Sequence, residues 1–213
     1  QNNFTSSSNP FKDFLSKIKQ LLKPEGKLII AIENKYGLKY WCGAPEDHSG
    51  IPYDGINNYI YSDVARTFSK KQLERLVKSV GFNNTYFYYP LPDYKMPQVV
   101  YSEEYLPKNG SIDNWIPYYE PNGNSMVSDE EHIYGDLIDN DVFEFFANSF
   151  MVECCAENED IGEIQYAVSS PFRNKEYNMI TVYSKNDGFY KIADSDSVNA
   201  LKSTDNNHKM LDK

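Results

Sequence analysis

Cysteine is scarce in this chain of 213 residues, with only Cys42, Cys154 and Cys155 present. No CxxC pair exists, which removes a thiolate zinc site and a dithiol redox motif. Cys154 and Cys155 are adjacent, and neighbours on a strand point to opposite faces, so they do not share an ordinary bridge. An odd, sparse set of this kind suits a reducing, cytoplasmic compartment. Net positive charge is also lacking: 31 Asp and Glu outnumber 21 Lys and Arg, for a net charge of −10. A nucleic-acid partner needs a clustered cationic footprint, and here the cations are scattered, so nucleic acid is not expected as the main partner. No apolar run approaches the roughly 20 residues that span a bilayer, so no membrane span is expected. The opening residues QNNFTSSS lack a basic-then-apolar signal. Histidines number three, and none stands at ligand spacing from another, so no metal site is predicted.

What is abundant is tyrosine, with 18 copies, in a chain that is 15% aromatic and 40% hydrophobic. Those figures allow a packed core, with Tyr filling half-buried strands. The most legible stretch is Asn9 to Asn34, NPFKDFLSKIKQLLKPEGKLIIAIEN. Asn9 is an N-cap and Pro10 occupies the first helical position. Phe11, Phe14, Leu15, Ile18, Leu21 and Leu22 form one apolar stripe. Pro24 and Gly26 end the helix. Leu28–Ile32 then reads as a strand covered on both faces, because it is apolar without alternation. Such an order predicts a crossover helix feeding an interior strand of a parallel sheet.

A second helix is signalled by Ser69 and Gln72 as a capping box, with Phe68 stapling to Leu73. Leu73, Leu76, Val77 and Val80 form its inner face, and Gly81 with Phe82 its C-terminal stop. Thr85–Tyr89 predicts a strand broken by Pro90 and Pro92, and Gln98–Tyr101 a further edge strand. Between the first strand and the second helix lies a long insert, residues 35–67, of the kind that more often carries function than not. Residues 103–131 read as a linker or wrapping segment. A second unit, 132–213, predicts a short helix running into a strand at Ser149–Cys154, then strands at Glu163–Val168, Met179–Ser184 and Phe189–Ile192. Asn186–Gly188 supplies a hairpin turn, and a last helix capped by Asp194 or Ser195 runs through Leu201.

The run LLKPEGKLIIAIEN resembles the fifth-strand region of class I S-adenosylmethionine-dependent methyltransferases. The pieces that follow it, through Ser102, match that family's last helix and terminal antiparallel pair in order. The longer phrase AIENKYGLKYWCGAPEDHSGIPYDGI resembles a branch found in large bacterial proteins of cell-surface polysaccharide assembly. The resemblance covers about half the chain. It implies an α/β fold: a partial Rossmann-like methyltransferase sheet, late strands and helices only, over 1–102, followed by a small α+β segment with antiparallel strands. It implies methyl transfer to a small or carbohydrate-linked acceptor, with S-adenosylmethionine as cofactor. The family's Gly-rich cofactor turn is missing from the sequence; Gly37, Gly43, Gly50 and Gly55 have the wrong spacing for it. The expectation is therefore a portion of a longer polypeptide, with the cofactor-binding residues elsewhere. The second unit carries a fainter resemblance to the opening of a kinase-like small lobe, with Lys191 on a strand, but no catalytic Asp loop follows.

Ligands of open α/β sheets bind beyond the carboxyl ends of the strands. That places Glu33, Asn34 and the insert at the rim. His48, Asp47 and Glu46 form the densest titratable cluster there. Histidine suits general-base work at neutral pH, with Asp54 available to orient it. Asn34, Tyr36, Tyr40, Trp41 and Asp54 are the candidate acceptor-binding residues, the aromatic ones as a stacking wall. Each of these assignments competes with a plain structural role in a polar loop. A competing reading is a non-catalytic binding or assembly module, self-associating through exposed sheet edges.

Overall fold

The computed structural model describes residues 9–62, 65–112, 125–157, 160–169, 174 and 178–193. Helix α1 (Pro10–Leu21) starts where the sequence places it, with the Asn9 side chain accepting from the Lys12 amide. Strand β1 (Leu28–Glu33) follows, then a short helix α2 (Leu38–Trp41) inside the insert. Helix α3 (Lys70–Lys78) has the full capping box of Ser69 and Gln72. Strands β2 (Asn84–Leu91) and β3 (Val99–Ser102) form an antiparallel pair. A 3₁₀ turn at Glu130–His132 leads into α4 (Tyr134–Asp139) and α5 (Phe143–Phe146). Strands β4 (Ser149–Cys155), β5 (Ile164–Val168), β6 (Met179–Ser184) and β7 (Gly188–Ala193) complete the described elements. The last helix expected through Leu201 lies outside the described residues, as do the polar tail and the middle of the 103–131 segment.

All seven strands join one sheet in the order β1-β4-β2-β3-β5-β6-β7, and every neighbouring pair is antiparallel. This corrects the expectation of an interior strand among parallel neighbours. Among the described strands, Leu28–Ile32 stands at one end of the sheet and pairs with β4 alone, in register from Leu28 opposite Cys154 to Glu33 opposite Ser149. Nor is β1 covered on both faces. Leu28, Ile30 and Ile32 turn toward the core, whereas Ala31 is exposed and Ile29 is 58% exposed. The sequence misleads because Ile29 and Ala31 are apolar on a face that no described residue covers.

The division into 1–102 and 132–213 is not a division of the sheet, since β4 inserts between β1 and β2. Both β1 and β2 run antiparallel to β4, so they run the same way as each other, with α3 on the connection between them. β2 also continues past Pro90, which pairs with Val100 of β3. Its β4 ladder ends at Tyr88, so the missing Pro90 N–H costs no bond on that side.

One apolar face runs across the strands. Phe87 and Tyr89 of β2 meet Phe150 of β4 edge-on at centroid distances of 5.6 and 6.1 Å. Leu73 and Val77 of α3 and Leu15 of α1 belong to the same core, joined by Phe143 of α5 and Tyr134 of α4. α1 packs on α3's entry through Phe11 against Phe68, ring centroids 5.1 Å apart. The three thiols are buried. Burial and neighbouring acidic charge push the Cys42 thiol up to about 12, and burial with Cys155 and Glu153 does the same to Cys154. Neither has thiolate character at neutral pH. Among the described residues no helix is long and apolar enough to cross a membrane, and none of their His, Cys, Asp and Glu side chains cluster as a metal site.

Candidate functional site

The carboxyl end of β1 carries Glu33 and Asn34 into the insert, and both are buried. Asn34 is tied into the fold through both atoms of its amide. Its amide donates to the carbonyls of Phe145 and Ala147, each at 2.8 Å, and its Oδ1 accepts from the Tyr36 amide at 3.0 Å. It locks the start of the insert to the α5–β4 junction, and both of its amide hydrogens are committed there. Asn148 performs the reciprocal task, accepting from the Lys39 amide at 2.9 Å and donating to Glu130 at 2.6 Å.

A charge network sits beside this lock. Lys39 is 3% exposed and pairs with Asp47 at 2.8 Å and Asp93 at 3.5 Å. Lys95 pairs with Glu33 at 2.6 Å and Asp47 at 3.3 Å. The Tyr40 hydroxyl donates to Asp47, and the Tyr94 hydroxyl to Glu33 at 3.2 Å. Burial alone would raise the Asp47 pKa, but Lys39, Tyr40 and Lys95 outweigh it and hold the carboxyl below its ordinary value. Burial likewise opposes the Lys95 ammonium, yet its bond to Glu33 and the surrounding acids raise its pKa above the usual lysine range. Tyr40 is held well above the usual phenol range by burial and by Asp47, and Tyr94 is pushed up to about 12 by burial and Glu33. These phenols are donors, not bases.

The predicted trio is adjacent in the chain but divided in role. Glu46 is buried and accepts from the His48 amide at 2.8 Å, the Ser49 amide at 2.7 Å and the Tyr59 hydroxyl at 3.2 Å. Its carboxylate thus fixes the turn that carries His48. Asp47 belongs to the lysine network. His48 is exposed, and among the described residues its imidazole has no hydrogen-bond or ion-pair partner. Asp54 does not orient it: the buried carboxylate accepts from Ser62 and from the Tyr61 amide at 3.3 Å. Burial would raise the Asp54 pKa, but these bonds, one from Ser49 and the charge of Arg66 lower it. The aromatic wall is dispersed as well. Tyr36 stacks on Phe145 with centroids 5.1 Å apart, Tyr40 is buried, and Trp41, 43% exposed, meets Phe146 edge-on at 6.2 Å.

Lys39, Asp93 and Lys95 were not singled out from sequence. Asp93 and Lys95 follow β2, in a turn where the Lys95 amide donates to Asp93 at 2.9 Å, and only the β2–β4 pairing delivers them to the insert. The insert also walls a cavity of about 470 Å³ together with the starts of α1 and α3; Lys35, Arg66 and Arg75 line it. The chain has three arginines, Arg66, Arg75 and Arg173, and two of them meet there, which is the only sequence signal the cavity gives.

The residues present do not fit S-adenosylmethionine. Glycine serves such a ligand by opening backbone to it, and the insert's glycines are spent inside the fold. A Cβ on Gly37 would lie 3.0 Å from Asn148, and one on Gly43, at φ +102, would lie 2.0 Å from the Ser125 carbonyl. Gly50 is open but isolated in its turn. No protein-family model matches the chain, and neither a curated protein nor a solved structure shows significant similarity to it.

Proposed function

We propose that this chain forms the acceptor side of a class I S-adenosylmethionine-dependent methyltransferase domain, acting in the cytoplasm on a small or carbohydrate-linked acceptor. The observation that carries this reading is the path of β1 and β2. They run in the same direction, joined through α3, with the reversed strand β4 between them. The antiparallel pairing of β2 with β3 is consistent with the terminal pair the resemblance implies, although β3 is not the edge strand expected, since β5 pairs along its other side. Two features of β1 fit further. Its outer edge has no partner among the described strands, and Ile29 and Ala31 present apolar surface on an uncovered face. Both are what a strand shows when its other neighbour and a covering helix are supplied by additional chain.

On this reading the cofactor, which supplies the activated methyl group, is held by residues beyond these 213. The residues here position the acceptor, and positioning dominates such a transfer. His48 serves as the base at the rim; Glu46 fixes its turn, and Asp47 anchors the neighbouring backbone through Lys39 and Lys95.

Calorimetry with S-adenosylmethionine tests the reading. A polypeptide extended N-terminally through a Gly-rich strand-to-helix turn binds it, and the 213-residue chain alone does not. In the extended enzyme His48→Gln lowers kcat by about 10²-fold or more. Failure of the extended polypeptide to bind leaves the assembly reading, which the open β1 edge favours.

A further inference from the structure

The cavity of about 470 Å³ is within the range of small-molecule sites. In a chain of net charge −10, no carboxylate is among its described lining residues, while Lys35, Arg66 and Arg75 are. Lys35 is 4% exposed, and its ammonium donates to Oδ1 of Asn58, a neutral partner. Among the described residues none of the three cations forms an ion pair. Asp54 feels the charge of Arg66, but its carboxylate is committed to Ser62 and the Tyr61 amide. A buried cation without an anion is unfavourable, and proteins ordinarily pair or neutralise it. Here burial and then the like charge of Arg66 lower the Lys35 pKa. Lys35 is thus a buried cation with no anionic partner among the described residues, beside two exposed guanidinium groups.

A second cavity, of about 630 Å³, shows the contrast. It is lined by Lys70, Lys71, Lys78 and Lys185, yet each is matched by an acid: Lys70 with Glu103 at 3.3 Å, Lys71 and Lys78 with Glu74 at 3.1 and 2.8 Å, and Lys185 with Glu104 at 2.7 Å. The Lys35 cavity lacks such matching. Its selectivity comes from side chains, because the start of α3 is already capped by Ser69. Two guanidinium forks and one ammonium carry more charge than a single carboxylate balances, and guanidinium geometry matches phosphoryl oxygens. The edge-to-face pair of Phe11 and Phe68, with Leu76, supplies an apolar wall on the same cavity.

We propose that this cavity binds the phosphate monoester of a small organic molecule, with Lys35, Arg66 and Arg75 holding the phosphoryl oxygens and the Phe11–Phe68 wall receiving the organic part. The proposal goes beyond methyl transfer and does not depend on it, since it needs only these 213 residues.

An amide NMR titration at constant ionic strength tests it, with phenyl phosphate, inorganic phosphate and acetate as probes. Phenyl phosphate gives saturable shifts at Lys35, Thr67 and Gln72, with a Kd below about 1 mM. Inorganic phosphate binds the same site more weakly, and acetate more weakly still. Arg66→Gln and Arg75→Gln, both at exposed positions and so expected to leave the fold intact, each weaken phenyl phosphate at least about tenfold. Lys78→Gln, in the second cavity, leaves binding unchanged. Absence of saturable shifts by about 10 mM overturns the proposal. So does equal weakening in Lys78→Gln, or acetate binding as tightly as phosphate.

Discussion

At the residue scale the rim is held by charge. Lys39 faces Asp47 and Asp93 from a buried position, and Asp93 Oδ2 has no hydrogen bond besides that ion pair. Removing the ammonium leaves the buried Asp93 Oδ2 without a partner, while Asp47 keeps Lys95 and Tyr40, so Lys39→Met is expected to cost about 3 kcal/mol in chemical denaturation. The acid limb tests Asp47 separately. Its folded pKa lies below its ordinary value of 3.8, so its stabilisation is present above that value and fades as pH falls through the folded pKa. Asp47→Asn should therefore lower stability at pH 7 and flatten the loss below about pH 4. His48→Gln, by contrast, changes stability by no more than about 0.5 kcal/mol, since its side chain is exposed. Residue type was legible in the sequence here and partnership was not. Asn34 reads as a free hydrogen-bonding group at a strand end, but its partners Phe145 and Ala147 lie 111 and 113 positions away.

At the element scale the helices were legible because their signals are local. The Asn9 and Ser69 caps sit within three residues of the amides they bind. Ser69→Ala is expected to cost about 1 kcal/mol, read from the denaturation midpoint. The insert's α2 leaves no signal in the sequence because it is four residues long and its N-cap, Gly37, makes no side-chain bond. β1 is legible as a strand, but its surroundings are not. An apolar run records that a strand is apolar on both faces, not that both faces are covered. Gly43 marks a tighter constraint within the insert. Its φ of +102 and the approach of Ser125 leave no room for a methyl group, so Gly43→Ala should destabilise by about 2 kcal/mol or more.

At the scale of the whole molecule the decisive feature is β4, which arrives late in the chain and enters between two strands formed from its first half. Pairings of such sequence separation leave no local trace, whereas the irregular, Pro- and Gly-bearing stretch 103–131 reads as a boundary between two segments. The consequence is that the carboxyl end of β1, the insert and the turn after β2 are assembled only when β4 is in place. Alternation of the ladder puts Ala31 opposite Met151, and Phe87 opposite Val152, as non-hydrogen-bonded pairs, where α-protons approach most closely. A NOESY spectrum of the labelled chain tests this directly. Strong Hα–Hα cross-peaks between Ala31 and Met151 and between Phe87 and Val152 are the predicted result. Their absence, or a parallel pattern of contacts along Leu28–Ile32, would contradict a β4 shared by two strands running the same way.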